Sequence, residues 1–252
     1  MIKFFRQIRK SLLLENKTGK YFKYAIGEIV LVVIGILIAL SINNWNQNQK
    51  NIAKKAILLK ALKIEFTSNL KQIDTVLYYD QNVIKYTQKL LQLDSKKSII
   101  TLTDSLPIWI QNSDTRWTFD PLNGALRSGI SSGEIHLINN DSLSNLLFGW
   151  SDFISDFKEG EARTVEAVKK AKFIFEKHIR LVEYKNSWSS AIGKSKFSSD
   201  YQSLLNDPLF EDYLGERYLS MEMVLYDLML VKKQNKLILA LIDKELNSHK
   251  YE

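Results

Sequence analysis

The sequence predicts an all-α protein: one N-terminal transmembrane helix, then an extracytoplasmic antiparallel bundle of three long helices and one short helix. Three observations carry that prediction. Gly (10) and Pro (3) are scarce for 252 residues, which speaks against folds built on many tight turns. Residues 25–42 form an apolar run with one charge, Glu28. Beyond it, apolar residues recur at helical steps through three long stretches poor in breakers.

Composition excludes much else. There is no Cys, so disulfides, thiolate metal sites and thiol catalysis are ruled out. Charged residues at 25% and hydrophobic residues at 45% rule out global disorder. The net charge of +7 is local: Lys3, Arg6, Arg9, Lys10, Lys17, Lys20 and Lys23 face Glu15 alone, so six of the seven units lie in residues 1–24.

At ~1.5 Å per residue, residues 25–42 cover ~27 Å, close to a hydrocarbon core of ~30 Å. Lys20, Lys23 and Tyr24 before the run and Trp45 after it are membrane-interface residues. The Lys/Arg asymmetry places the N-terminus inside the cytoplasm and the rest outside. This divides the chain into a basic cytoplasmic segment (1–24), a signal anchor (25–42) and an extracytoplasmic bundle (43–252). The expected location is a bacterial cytoplasmic (inner) membrane, with the C-terminal domain in the periplasm. A buried core helix is one alternative for the run. A cleavable signal peptide, with Ala39, Leu40 and Ser41 as the small-x-small site, is the other. Residues 1–14, with Ile2, Phe5 and Leu12 on one helical face, suit an interfacial amphipathic helix.

Residues 47–93 form the first long helix of the bundle, with Asp80 and Thr87 as polar interruptions of its seam. Residues 94–104 read as a loop in which Ile99, Ile100 and Leu102 are the only strand-like residues. Pro107 and the 112–114 cluster read as irregular chain. Asp120 and Pro121 open the short helix as cap and first residue, and Gly129 stops it. Residues 130–140 are a connector. Asp141 caps the second long helix, to about Tyr184; Gly149 and Gly160 inside it predict close approach of a neighbour, or a bend. Residues 185–206 are a Ser-rich loop with one helical turn at 201–205. Asp207 and Pro208 open the last helix, to about Asn247.

Antiparallel neighbours joined by short loops put 94–140 at a membrane-distal tip. Residues 185–206 then return to the bilayer with Trp188, Ile192, Lys194, Lys196 and Phe197. The tip residues Trp109, Arg116, Trp117, Arg127, Glu134 and His136 are candidate partner contacts, Trp and Arg being frequent in interface hot spots. The alternative is that the two Trp plug the bundle end.

Within the span, Glu28, Gly35 and Ala39 share one helix face, a small-xxx-small packing pattern with a carboxylate beside it. Glu28 either faces a partner helix or reaches back to water and Lys20 or Lys23. Residues 129–133 match G-x-S-x-G, but no strand precedes them, so a nucleophile elbow is not expected. His136, His178 and His249 have no ligand spacing. No catalytic, metal or cofactor site is expected, and no nucleic acid: the basic segment abuts a span, and its partner is the anionic lipid bilayer.

The block 1–46, above all YAIGEIVLVVIGILIAL (24–40) followed by INNWN (42–46), resembles the opening of the uncharacterised bacterial single-pass membrane protein family known as domain of unknown function 6090. Residues 126–129 and 134–138 resemble its later "SG…LI" block. The resemblance implies a membrane-anchored helical protein and no activity or cofactor. The expected function is a non-enzymatic interaction or sensory module acting through other membrane or periplasmic proteins, with homo-oligomers among its assemblies. The alternative is an accessory subunit of a transport or energy-coupling complex, packing through Glu28, Gly35 and Ala39.

Overall fold

A computed structural model describes residues 18–93, 105–184, 191 and 193–248. Residues 1–17 with the expected interfacial helix, the loop 94–104, Trp188, Ile192 and His249 lie outside the described residues, as does the side chain of Lys20. Among the described residues there are seven α-helices, one 3-10 turn and no strand. They are α1 (Thr18–Leu91), α2 (Leu106–Asp114), α3 (Gly124–Ser131), the 3-10 turn (Glu134–Leu137), α4 (Asp141–His178), α5 (Leu181–Tyr184), α6 (Tyr201–Leu205) and α7 (Pro208–Ser248). The chain divides into two compact units, Met1–Ala56 and Ile57–Glu252.

In the first unit the described chain is α-helix throughout, with no proline to break it. Its best 18-residue window has a mean hydropathy of 2.8 and no buried residue. The buried-core-helix alternative is therefore set aside: Ile29, Leu31, Leu37 and Ile42 are all exposed. Among the described residues, α1 is the one helix long and apolar enough to cross a membrane. That makes it compatible with a membrane anchor.

The second unit is built on residues 57–91 of α1, α4 and α7. Its larger core joins Leu59, Leu62, Phe66 and Ile73 of α1 to Leu143, Leu147 and Trp150 of α4 and to Leu228, Val231 and Ile238 of α7. A second core gathers Leu90, Leu106, Ile110, Phe175, Phe210 and Leu214. The α1 seam runs through Val83 and Leu90 rather than Ile84 and Leu91, and it retains Asp80 and Thr87 as buried members.

Paired residues fix the directions. Lys63 pairs with Asp243 and Lys232 with Asp74, so α1 and α7 are antiparallel. Asn140 bonds Glu245 while His178 bonds Asp207, so α4 and α7 are antiparallel too. Phe66 meets Trp150, and Leu90 shares a core with Phe175, so α1 and α4 run parallel. This corrects the expected out-back-out order. The reason is the connection between α1 and α4. It does not cap the bundle but travels back along it: Trp109 lies over Lys89, Trp117 over Tyr79, Leu122 at Asn69, Ala125 at Glu65 and Gly129 at Leu58. From Lys89 to Leu58 that is ~46 Å of helix rise. A crossover therefore replaces the short loop on which the expected order rested. Of the 185–206 segment, the described α6 packs through Leu204 into the core that holds Leu90, Phe175 and Ile179.

Local chemistry explains the boundaries. Pro107 sits in the first turn of α2, where its missing N–H costs nothing, so the segment expected to be irregular is helical. Asp120 and Pro121 do not open α3, which starts at Gly124 after Asn123. Asp120 is instead bonded by Thr118 and Lys158, and its carboxyl is held below the usual range mainly by those bonds. Gly129 lies inside α3; the turn falls at Gly133, whose φ of 74° is the left-handed region that favours glycine. Asn140, rather than Asp141, caps α4 by accepting from the Leu143 N–H at 3.0 Å. Asp207 and Pro208 open α7 as expected, with the Asp207 carboxylate accepting from the Leu209 N–H at 3.0 Å. Gly149 has nothing within 4 Å of a built Cβ, so close approach does not explain it; Gly160 has Asp227 Oδ2 at 3.4 Å, an ordinary contact.

Candidate functional site

The crossover 115–123 is irregular chain inside a helical unit, and its inward backbone groups need partners. Side chains of the helices supply them. Asn69 on α1 both donates to the Leu122 carbonyl (2.9 Å) and accepts from the Leu122 N–H (2.8 Å). Glu65, one turn earlier, accepts from the Ala125 N–H at 2.6 Å and the Leu126 N–H at 3.0 Å, capping α3 from another helix. Glu161 on α4 accepts from the Phe119 N–H at 2.8 Å. Arg217 on α7 donates to the carbonyls of Thr115 (2.6 Å), Ser113 (3.3 Å) and Thr164 (3.5 Å). Three helices thus provide a row of polar side chains that does for this segment what a neighbouring strand would do. Phe119 plugs the row, fully buried and edge-on to Phe157.

The same row places charge in the core. Asp80 and Arg217 are 1% and 0% exposed. Burial pushes the Asp80 carboxyl up to about 7; attraction to Arg217 opposes this and repulsion from Glu161 adds to it. Burial also pulls the Arg217 guanidinium below its usual value, against Tyr213, Asp114 and Asp80. Asp80 Oδ1 has no hydrogen-bond partner. The arrangement is a buried carboxylate poised to take up a proton beside a fixed cation.

Beside the crossover lies an open groove of about 210 Å³. Pro121, Asn123, Leu126, Arg127, Ile130 and Ser131 form one wall; Trp150, Ser151 and Ile154 of α4 form the other. Leu126 and Trp150 make a buried apolar floor, while Arg127 stands exposed at the rim. No acidic residue lines the groove.

The sequence candidates fall in different places. Glu28, Gly35 and Ala39 share a face of the uninterrupted α1, and nothing lies within 4 Å of a Cβ built on Gly35. Lys23, Tyr24 and Trp45 are exposed on the same helix. The six expected tip residues do not form a tip. Trp109 lies under the Lys89 ammonium (4.9 Å to the ring centroid) and Trp117 stacks on Tyr79 at 3.9 Å. Arg116 is exposed beyond α2, Arg127 lines the groove, Glu134 opens the 3-10 turn and His136 leans on Phe148 at 5.7 Å. Trp117 lies along α1, whereas Trp109 packs against the second core near the end of α1. Ser131 of the G-x-S-x-G run is the last residue of α3, and the preceding segment is helix. Among the described residues no group of three or more His, Asp or Glu is placed to hold a metal ion.

These features define a class: an all-α chain that joins an apolar helix of membrane-crossing length to a helical unit with a side-chain-braced crossover. The model of the Family of unknown function (DUF6090) matches residues 28–149, and this match supports membership of that family. The matched stretch takes in α1 from Glu28, the bracing residues Glu65 and Asn69, and the whole crossover. No curated protein and no solved structure matches the chain.

Proposed function

We propose that the protein is a non-enzymatic, membrane-anchored interaction or sensory module that acts through partner proteins. Residues 25–42 serve as an uncleaved anchor in a bacterial cytoplasmic membrane, N-terminus inside, and the helical unit works outside it. The observation that carries the reading is the groove: an apolar floor of Leu126 and Trp150, flanked by Arg127 with no acidic residue lining it. Such a pocket suits a partner segment that offers an apolar side chain next to a carboxylate. The test places a photo-crosslinking residue at Ile130 of the full chain in cells, with and without Arg127→Glu. A crosslinked partner that disappears with the charge reversal supports the reading. An unchanged crosslinking pattern, or none, sinks it.

A second reading rests on the shared helix face of Glu28, Gly35 and Ala39, with open space at Gly35: an accessory subunit of a transport or energy-coupling complex. It requires that Glu28→Gln and Gly35→Leu each strip partners from the chain solubilised out of membranes. Retention of every partner by both variants rejects it.

A further inference from the structure

The two cores of the helical unit do not meet. On α1, α4 and α7 the larger one ends at Leu77, Phe157 and Val224, and the second begins at Leu90, Ala171 and Leu214. Among the described residues Val83, Ala167 and Met221 are the buried apolar side chains that belong to neither. The gap is otherwise filled by buried polar groups. Asp80 and Thr87 come from α1, Glu161 and Thr164 from α4, and Arg217 from α7; Ser113 and Asp114 come from the end of α2. Such a layer is stable only as far as its groups are paired. Glu161 accepts from the Phe119 N–H at 2.8 Å and from the Lys158 ammonium at 2.7 Å. Asp114 accepts from the Tyr213 hydroxyl at 3.3 Å. Arg217 gives its hydrogen bonds to carbonyls, among them those of Ser113 and Thr115. Asp80 Oδ1 and Thr87 Oγ1 are buried without a partner, and of the two only Asp80 can carry a charge.

We propose that Asp80 is a proton-operated latch on the strap 113–119, the last turn of α2 and the chain that follows it. Protonated, Asp80 leaves Arg217 to brace the strap. Ionised, it releases the strap while α1, α4 and α7 stay packed. The surrounding groups set this sense. Asp80 feels Arg217 of α7 and Glu161 of α4. Arg217 lies in turn among Tyr213, Asp114 and Arg116, and Lys158 sits on Glu161. A carboxylate at Asp80 competes with the Ser113 and Thr115 carbonyls for one guanidinium and is repelled by Glu161. A carboxylic acid makes no such demand. Opening the strap gives the carboxylate the water it lacks. Burial holds the Asp80 proton up to about 7, whereas an exposed aspartate releases it near 3.8. The closed strap therefore binds more protons than the open one. Between those values each pH unit raises the ratio of open to closed strap about tenfold, and above about 7 the ratio is level. Acid tightens the strap and neutral solution loosens it. The latch needs no occupant in the groove.

The chain has no Cys, so single introduced thiols report opening without background. In the full chain in detergent, Ser113→Cys places a near-isosteric thiol in the buried strap and Ser68→Cys an exposed thiol on α1. Their labelling rates with a pyridyl disulfide are taken as a ratio, which cancels the pH dependence of the thiol itself. From pH 5 to pH 7 that ratio rises about tenfold per unit. In the Asp80→Asn background it is level. Val231→Cys, buried in the larger core, stays unlabelled throughout. If Ser113→Cys does not fold, amide exchange at Phe119, whose N–H is held by Glu161, gives the same comparison of wild type with Asp80→Asn at each pH. A level response in the wild-type background, or a rise that survives Asp80→Asn, overturns the latch. Labelling of Val231→Cys in step with Ser113→Cys overturns it too, because the whole unit is then opening and not the strap.

Discussion

Replacing Asp80 by asparagine asks whether the bundle core carries a titrating carboxylate. An aspartate in the unfolded chain loses its proton near its ordinary value of 3.8, whereas buried Asp80 holds it to about 7. Between those values the folded state binds more protons than the unfolded state, so stability falls as pH rises through that window and is level above it. Three pH units of displacement correspond to about 4 kcal/mol at ~1.4 kcal/mol per unit. The replacement amide does not titrate but keeps the shape of the protonated acid. Below about pH 4 the wild type and Asp80→Asn should therefore differ by no more than about 1 kcal/mol. Above about pH 7 the variant should have gained about 4 kcal/mol relative to wild type. The assay is urea unfolding of both full chains in one non-ionic detergent, followed by far-ultraviolet circular dichroism across that range. Taking the difference between the chains cancels groups such as Asp207, whose depressed carboxyl acts in the opposite sense and at lower pH. A pH-independent difference would refute the reasoning. So would a wild type that gains stability relative to the variant as pH rises, since Asp80 would then be ionised and stabilised by Arg217.

Two glycines in helices should respond in opposite ways. Gly149→Ala adds a Cβ into open space and should stabilise by up to ~1 kcal/mol, read as a raised unfolding midpoint. Gly129→Ala sets a Cβ 2.7 Å from Leu58 Cδ1 in the core and should destabilise by ~1–3 kcal/mol. Glu65→Ala strips the carboxylate from the Ala125 and Leu126 N–H groups and should cost ~1–3 kcal/mol. Hydrogen exchange should quicken at those two amides while Leu143, capped separately by Asn140, stays protected.

The long elements were legible because their signals are local. The apolar run, the helical steps of α1 and α4, and Asp207 with Pro208 at the start of α7 each speak within a few turns. Asp80 and Thr87 were visible as polar intruders in a seam, and both are buried. The path of the crossover was not legible, because its bonds join residues 42 to 104 positions apart. Glu65, Asn69, Glu161 and Arg217 did leave a trace: each is a polar residue at a core step of its helix. Only their partners, backbone groups far along the chain, say what they are for. The faces that Trp117 and Trp109 turn to α1 were illegible for a related reason: Tyr79 and Lys89, which they meet, lie far back along the chain, and Trp117 keeps 41% of its surface exposed.

The bracing row also sets an order in time. Glu65 and Asn69 are translated before the segment they hold, Glu161 after it, and Arg217 about a hundred residues later than Ser113, to whose carbonyl it donates. At ~5–20 residues per second, the ribosome leaves those carbonyls waiting on the order of 5–20 s for their donor. Through that interval the row lacks the three bonds that Arg217 gives. A chain truncated after His178 would stay in that state, with the crossover open to proteases and Asp80 without its cation.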